Sequence, residues 1–289
     1  MSNVIEELLE LLRLEELEKD RYLGKTQDLG YPRVFGGQVL GQALVAAKNT
    51  VEGWMAHSMH AYFLRPGNPK EPIEYKVDRI RDGRSFTTRT VVASQGGRAI
   101  FNLSASFQVE EKGYEHQKDM PDVAGPENLP SELDRARQVK ELLPEKMRYK
   151  LTCERPIEIR VVEPVDYFNP KKRKPVNYSW IKTTYPLPDD PMMHQCMLAY
   201  ASDFGLIEPS MMPHGVTFAQ RDMQVASLDH AMWFHKNFRM DEWLLYETES
   251  LVSAGGRGLN SGRFYTKDGT LVASATQEGL IRNRTLGQS

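Results

Sequence analysis

The spacing of apolar residues along this chain changes several times, and each change marks an element. Leu8, Leu9, Leu11, Leu12 and Leu14 follow Asn3 at helical spacing, which predicts an N-capped helix running to about Lys19. Behind Phe35-Gly36-Gly37, nearly every residue from Val39 to Ala47 is small or apolar, predicting a helix buried on all sides. The period then shortens to two. Ser58 to Leu64, Ile73 to Ile80, Ser85 to Ser94 and Ala99 to Gln108 are rich in β-branched and aromatic residues. Arg65-Pro66-Gly67, Asp82-Gly83 and Gly96-Gly97 punctuate them, so they read as a run of antiparallel strands.

From Glu110 to about Tyr149 charges dominate, with Pro121, Pro126, Pro130 and Pro144 interspersed. This predicts a surface connector with one helix from Ser131 to Leu143. The plan then repeats. Ile157 to Val162 and Asn177 to Thr183 read as strands, and Met192 to Phe204 has helical spacing in Met193, Cys196, Met197, Tyr200, Ala201 and Phe204. Four strands follow at Gln224–His235, Trp243–Ser253, Gly258–Thr266 and Thr270–Glu278, the last two joined by a Lys267-Asp268-Gly269 turn.

Particular residues repeat as well as elements. His60-Ala61-Tyr62-Phe63 is echoed by His230-Ala231-Met232-Trp233, Tyr75 by Tyr246, and the Gly96-Gly97 turn by Asp268-Gly269, at separations of 170, 171 and 172. The expected architecture is α+β, a tandem or double hot-dog fold in which each repeat is a long central helix wrapped by an antiparallel sheet. Residues 1–112 form the first repeat, 113–149 the connector and 150–289 the second repeat. A single unit leaves a sheet edge and a helix face unpaired, and tandem duplication satisfies both within one chain.

Composition narrows the function classes. Lys+Arg 37 against Asp+Glu 39 gives a formal charge of −2, with no basic surplus to suggest nucleic acid. Two cysteines, Cys153 and Cys196, suit a reducing compartment. No apolar run approaches the roughly 18–20 residues that span a bilayer, and the acidic, amphipathic N-terminus is unlike a secretory signal. The expectation is a soluble, cytoplasmic protein without stable membrane insertion.

Familiar nucleotide and hydrolase motifs do not occur. There is no G-x-S-x-G elbow and no G-x-G-x-x-G, and Gly36 to Gly41 begins a P-loop spacing that Gln42-Ala43 ends without its Lys and hydroxyl. No cofactor is expected. His57 and His60 stand three apart on a strand and should face opposite sides, as should His230 and His235, so no metal site is expected either.

One polar residue sits poorly in its surroundings. Asp203 lies three residues after Tyr200, at the border of the apolar stripe of its helix. A carboxylate there is partly desolvated, which raises its pKa and its strength as a base. The alternative is a carboxylate at a helix C-terminus that reaches water or a backbone N–H. Gln277 ends an apolar strand, and Ser227 lies in Val225-Ala226-Ser227-Leu228. A carboxylate, an amide and a hydroxyl on three packed elements could hold one water, with the Asp accepting its proton.

Several stretches resemble acyl-CoA thioesterase II, the TesB-type enzymes. They are Val34-Phe35-Gly36-Gly37-Gln38, Tyr62-Phe63-Leu64-Arg65-Pro66-Gly67 and Leu198-Ala199-Tyr200-Ala201-Ser202-Asp203 in the first part of the match. Leu228-Asp229-His230-Ala231-Met232-Trp233-Phe234-His235 and Val272-Ala273-Ser274-Ala275-Thr276-Gln277-Glu278-Gly279 complete it. The resemblance implies a double hot dog that hydrolyses fatty acyl-CoA, with Asp203, Ser227 and Gln277 as the catalytic residues. Ser227 stands where bacterial members often have Thr. It further implies acyl-CoA as substrate and assembly as a homodimer or homotetramer. Gly36, Gly37 and Gln38 are candidates for positioning the substrate and its oxyanion. Two other readings stay open: a hot-dog hydratase enlisting His57 or His60, and a non-catalytic acyl-CoA binding protein. The first half offers Ser106 or its neighbours where the second has Gln277.

Overall fold

Thirteen strands form one antiparallel sheet in the computed structural model, which describes residues 3–29, 32–142, 145, 148, 152–167 and 169–285. The first half contributes β1 (Glu15–Glu18), β2 (Arg21–Gly24), β3 (Met55–Phe63), β4 (Ile73–Asp82), β5 (Phe86–Gln95) and β6 (Arg98–Gln108). The second contributes β7 (Ile157–Val161), β8 (Val176–Thr183), β9 (Met223–Ser227), β10 (Asp229–Phe234), β11 (Leu244–Ala254), β12 (Arg257–Thr266) and β13 (Leu271–Asn283). Their spatial order is β1-β2-β4-β5-β6-β3-β10-β13-β12-β11-β8-β7, with β9 also on β13. The halves join where β3 pairs with β10, Tyr62 opposite Asp229 and Ser58 opposite Trp233.

The helices are α1 (Val4–Leu12), α2 (Gly36–Lys48), α3 (Glu132–Gln138) and α4 (Pro191–Ala201). Helices α2 and α4 pack on each other, and one apolar core joins them to the inner face of the sheet. Leu40, Leu44, Met197 and Leu198 are fully enclosed there. Neither helix needs an amphipathic stripe, because each has sheet on one side and its partner helix on the other. This is the hot-dog arrangement, twice. Among the described residues no helix is long and apolar enough to cross a membrane.

Part of the connector lies on the second half. Ala124 accepts a hydrogen bond from the Trp180 indole at 2.8 Å, and Pro126 accepts one from Arg160 at 2.7 Å. Met120, Val123 and Leu129 pack on a small second core of Trp180, Leu245 and Tyr265.

Several boundaries differ from the sequence expectation, among them the end of β13, which runs on to Asn283 instead of Glu278. Helix α1 has the expected Asn3 cap but stops at Leu12 instead of Lys19. Every residue of Glu15–Glu18 is exposed, Leu17 included, so no buried face extends the stripe; the segment turns through Asp20 at φ 62° into a hairpin. Helix α3 keeps its Ser131 cap but ends at Gln138, and the predicted end at Leu143 lies outside the described residues. The expected strand Gln224–His235 is two strands broken at Leu228, whose N–H turns to Glu278 O while the Asp229 carboxylate accepts from Glu278 N. Helix α4 ends at Ala201, so Asp203 belongs to the turn beyond it rather than to the helix. Gly205 then holds φ 72° in that turn.

The internal echo also shifts by one residue. His60 is exposed on the outer face, against the edge of Trp233, whereas His230 is wholly buried on the inner face. Because side chains alternate, a slip of one residue exchanges the faces. Ala61-Tyr62-Phe63 is therefore the counterpart of Met232-Trp233-Phe234, at the same separation of 171 as Tyr75 and Tyr246.

Candidate active site

The N-terminus of α2 meets the turn that follows α4, and Asp203 sits at that junction. Its Oδ2 accepts from Gly37 N at 3.1 Å, and its Oδ1 accepts from Gln277 Nε2 at 3.0 Å and from Ser227 Oγ at 3.3 Å. The three polar residues singled out from the sequence thus converge on one carboxylate. Each arrives on a different element: Gln277 from the inner face of β13, Ser227 from the last position of β9, Asp203 from the turn.

Glycine is required where α2 approaches. A Cβ on Gly37 would stand 2.1 Å from Tyr200 O and 2.5 Å from the Phe35 ring. A Cβ on Gly36 would stand 2.7 Å from Asp203 Oδ2 and 3.0 Å from the Phe63 ring. The backbone therefore comes as close to the carboxylate as the absence of side chains allows. Gln38 is committed elsewhere: its amide donates to Lys25 O and Gln42 Oε1, and accepts from Gln27 N.

Burial pushes the Asp203 pKa above the ordinary carboxylate value, while the hydrogen bonds from Gln277, Ser227 and Gly37 and the charge of Arg33 oppose that rise. Arg33 donates to Val225 O at 2.6 Å and so ties the approach to α2 to the strand carrying Ser227. Gln277 is 1% exposed, and its Oε1 is buried without a hydrogen-bond partner among the described residues. Such an acceptor costs free energy unless something donates to it.

Aromatic rings line the approach. Phe35 stacks on Phe204 at 4.6 Å between centroids and meets Tyr200 edge-on at 5.3 Å, and Phe63 packs on Phe101.

Three residues beside Asp203 escaped the sequence reading. Ser202 is fully buried; its Oγ donates to Ala199 O and meets His230 Nε2 at 3.0 Å, and its carbonyl accepts from Tyr246 OH at 2.8 Å. Burial pushes the His230 pKa down to about 3, so the ring is neutral. The available signal was weak, a histidine in an otherwise apolar strand position.

No group of three or more His, Cys, Asp or Glu converges as a metal site among the described residues. The opposite-face argument for His57 and His60 does not hold, because a bulge between Ala56 and Ser58 breaks the alternation and His57 feels the charge of His60. Two surface grooves, of about 280 and 330 Å³, lie along β8 and do not include Asp203.

Residues 25–108 match the acyl-CoA thioesterase N-terminal domain family, and residues 147–280 match the acyl-CoA thioesterase family. Over 283 residues the chain is 44% identical to acyl-CoA thioesterase 2 of Haemophilus influenzae, covering 98% of this chain and 99% of that protein. It is 40% identical to human acyl-coenzyme A thioesterase 8, over 94% of this chain and 88% of the human protein. Among solved structures, the acyl-CoA thioesterase II TesB2 of Mycobacterium marinum superposes with a TM-score of 0.77 at 41% identity, covering 96% of this chain and 98% of that one.

Proposed function

The chain belongs to the acyl-CoA thioesterase family and is a thioester hydrolase, and from that premise we propose that it cleaves fatty acyl-CoA through a water held by Asp203, Ser227 and Gln277. The observation that carries this reading is the convergence of Gln277, Ser227 and Gly37 on one enclosed carboxylate, with Gln277 Oε1 left as a free acceptor beside it. A water at that point donates one proton to Asp203 and the other to Gln277 Oε1. Its lone pair is then directed at the thioester carbonyl, and Asp203 takes the proton as the C–O bond forms.

The tetrahedral oxyanion needs donors. The first N–H groups of a helix have no acceptor within it, and the helix dipole favours negative charge at that end. We assign this part to the backbone N–H of Gly36, because that of Gly37 already donates to Asp203 Oδ2, with Gln38 bracing the segment before α2. Collapse of the intermediate breaks the C–S bond and releases CoA as thiolate. Thiols ionise near pH 8.5, so the leaving group needs little acid assistance, and the Asp203 proton returns to it or to solvent. No covalent enzyme intermediate forms, and Ser227 acts by position.

His57 and His60 lie near the outer face, His60 exposed there, away from the junction of the helices, and nothing in the geometry favours a hydratase. We also propose a cytoplasmic homodimer or homotetramer, which sedimentation of the purified chain tests.

Asp203→Asn tests the chemistry. Thiol release from a fatty acyl-CoA, read with a thiol-reactive dye, should fall at least a hundredfold with the circular dichroism unchanged. Full activity in the variant removes Asp203 from the mechanism, and an inactive unmutated chain favours acyl-CoA binding without turnover.

A further inference from the structure

Asp203 follows directly on Ser202, and Ser202 is gripped from two strands. Its N–H closes α4 on Leu198 O at 2.8 Å, and its hydroxyl proton goes to Ala199 O at 2.9 Å. With that proton placed, Ser202 Oγ can only accept from His230, so the ring carries its proton on Nε2. Its Nδ1 is then a bare lone pair, and Nδ1 is buried with no partner among the described residues. From the other side, Tyr246 OH donates to the Ser202 carbonyl at 2.8 Å, and its ring is fixed by stacking on Phe264 at 4.0 Å.

None of these contacts touches the Asp203 carboxylate. We propose that His230 and Tyr246 are positioning residues for the thioesterase reaction: together they clamp Ser202 and so fix the turn that aims Asp203 at the water. This rests on Asp203 being the base. The physical reason for a clamp is the helix end itself. Helix α4 stops at Ala201, and the last carbonyls of a helix lack intrahelical partners. A carboxylate on an untethered turn swings with it, and displacement by about 1 Å costs on the order of a hundredfold in rate. Ser227, Gln277 and Gly37 hold the oxygens; Ser202 holds the backbone that carries them.

The choice of histidine follows from reach. A donor leaving β10 at position 230 must span to Ser202 while remaining uncharged in an apolar setting. Neutral imidazole does this, whereas lysine or arginine would bring a buried charge. Met59 occupies the corresponding inner position on β3, so an unbranched apolar side chain packs at that place in the same fold.

His230→Met removes the donor and keeps a packed side chain; His230→Gln keeps an N–H near the position of Nε2. The expected result is a kcat at least tenfold lower for His230→Met, with KM within twofold and a melting temperature within a few degrees. His230→Gln should recover most of that loss, and Tyr246→Phe should lower kcat without raising KM. The double variant His230→Met/Tyr246→Phe should be less impaired than the product of the single losses, because both act through one residue. Unchanged kcat in His230→Met, or equal loss in Met and Gln, overturns the clamp. Imidazole ¹⁵N NMR of the unmutated chain provides a readout independent of turnover and of any variant's folding. Nε2–H with unprotonated Nδ1 supports the assignment, and the opposite tautomer overturns it. Asp203→Asn, run alongside, separates the two failures: an active Asp203→Asn defeats the proposed chemistry, whereas an inactive one beside a fully active His230→Met defeats only the clamp.

Discussion

Gly36→Ala should separate catalysis from folding. The new Cβ would stand 2.7 Å from Asp203 Oδ2 and 3.0 Å from the Phe63 ring. Ordinary non-bonded contact needs about 3.5 Å, so the carboxylate must retreat by roughly 0.8 Å. Its bonds to Gln277 and Gly37, at 3.0 and 3.1 Å, then stretch to or beyond the useful limit. A displacement of that size implies a loss of about 10- to 100-fold in kcat. Stability should move little, because the obstructing atom ends a side chain that can yield, and Ala is the better helix former by up to about 1 kcal/mol. Gly37→Ala is the contrast. Its Cβ would meet Tyr200 O at 2.1 Å, a backbone carbonyl inside α4, so relief requires the two helices to separate. Overpacking of this kind costs about 1–3 kcal/mol, and the melting temperature should fall with the activity. Thiol release and thermal unfolding on both variants provide the comparison. If Gly36→Ala turns over at the unmutated rate, the carboxylate does not work in the position described here.

Other outcomes follow from the same geometry. Enclosure raises the Asp203 pKa and the base must be ionised, so kcat/KM should fall as pH drops through a value above 3.8, a limb that a pH-rate profile will locate. Glu208 is held at about 7 against an ordinary 4.5, by burial first and then by Glu132, with the Tyr167 hydroxyl opposing. A raised folded pKa gives stability that is present below pH 4.5 and lost as pH rises through 7, so Glu208→Gln should raise the melting temperature at pH 8 and leave it unchanged at pH 4. Arg89 is 2% exposed and donates to Thr50 Oγ1, Thr50 O, Arg81 O and the Asp82 carboxylate. Arg89→Met should cost about 2–3 kcal/mol in denaturant unfolding by leaving buried acceptors unmet, while kcat/KM stays within twofold.

What was legible in the sequence was what repeats over many residues. The nearly all-apolar run Val39–Ala47 and the stripe ending at Phe204 read as helices, and β4, β5, β11 and β12 announced themselves by alternation and turn residues. Glu15–Glu18 did not, because all four side chains face water and no period exists to read. The break at Leu228 was invisible because no glycine or proline marks it; it results from a hydrogen bond to Glu278, fifty residues on. The composition of the polar trio was readable, but not the donors and acceptors between its members. His230 shows the limit most sharply. As a letter it matched His60, yet one residue of register puts them on opposite faces, and only His230 reaches the site.

The same register explains why the duplication left one candidate site. Ala61 pairs with Leu103 as Met232 pairs with Ala275, so two residues farther on Ala105 stands where Gln277 stands. Across the next strand, Ala105 faces Arg89 and Gln277 faces Asn260. Thr50 lies two residues beyond the end of α2, as Asp203 lies two beyond the end of α4. The first half thus has Thr50, Ala105 and Arg89 where the second has Asp203, Gln277 and Asn260. Thr50 Oγ1 donates to Ala47 O at 2.8 Å and accepts from Arg89 at 2.8 Å, so its hydroxyl is fully engaged. A guanidinium stays protonated at any working pH, and neither group can accept a proton from water. Arg89 is buried there and supplies donors to the Thr50 hydroxyl and carbonyl just beyond the helix end. What the first half lends to the candidate site is instead the start of α2, whose Gly37 N–H meets the carboxylate carried by the second half. Each copy has kept one part of a site that, in a symmetric pair, would have been built twice.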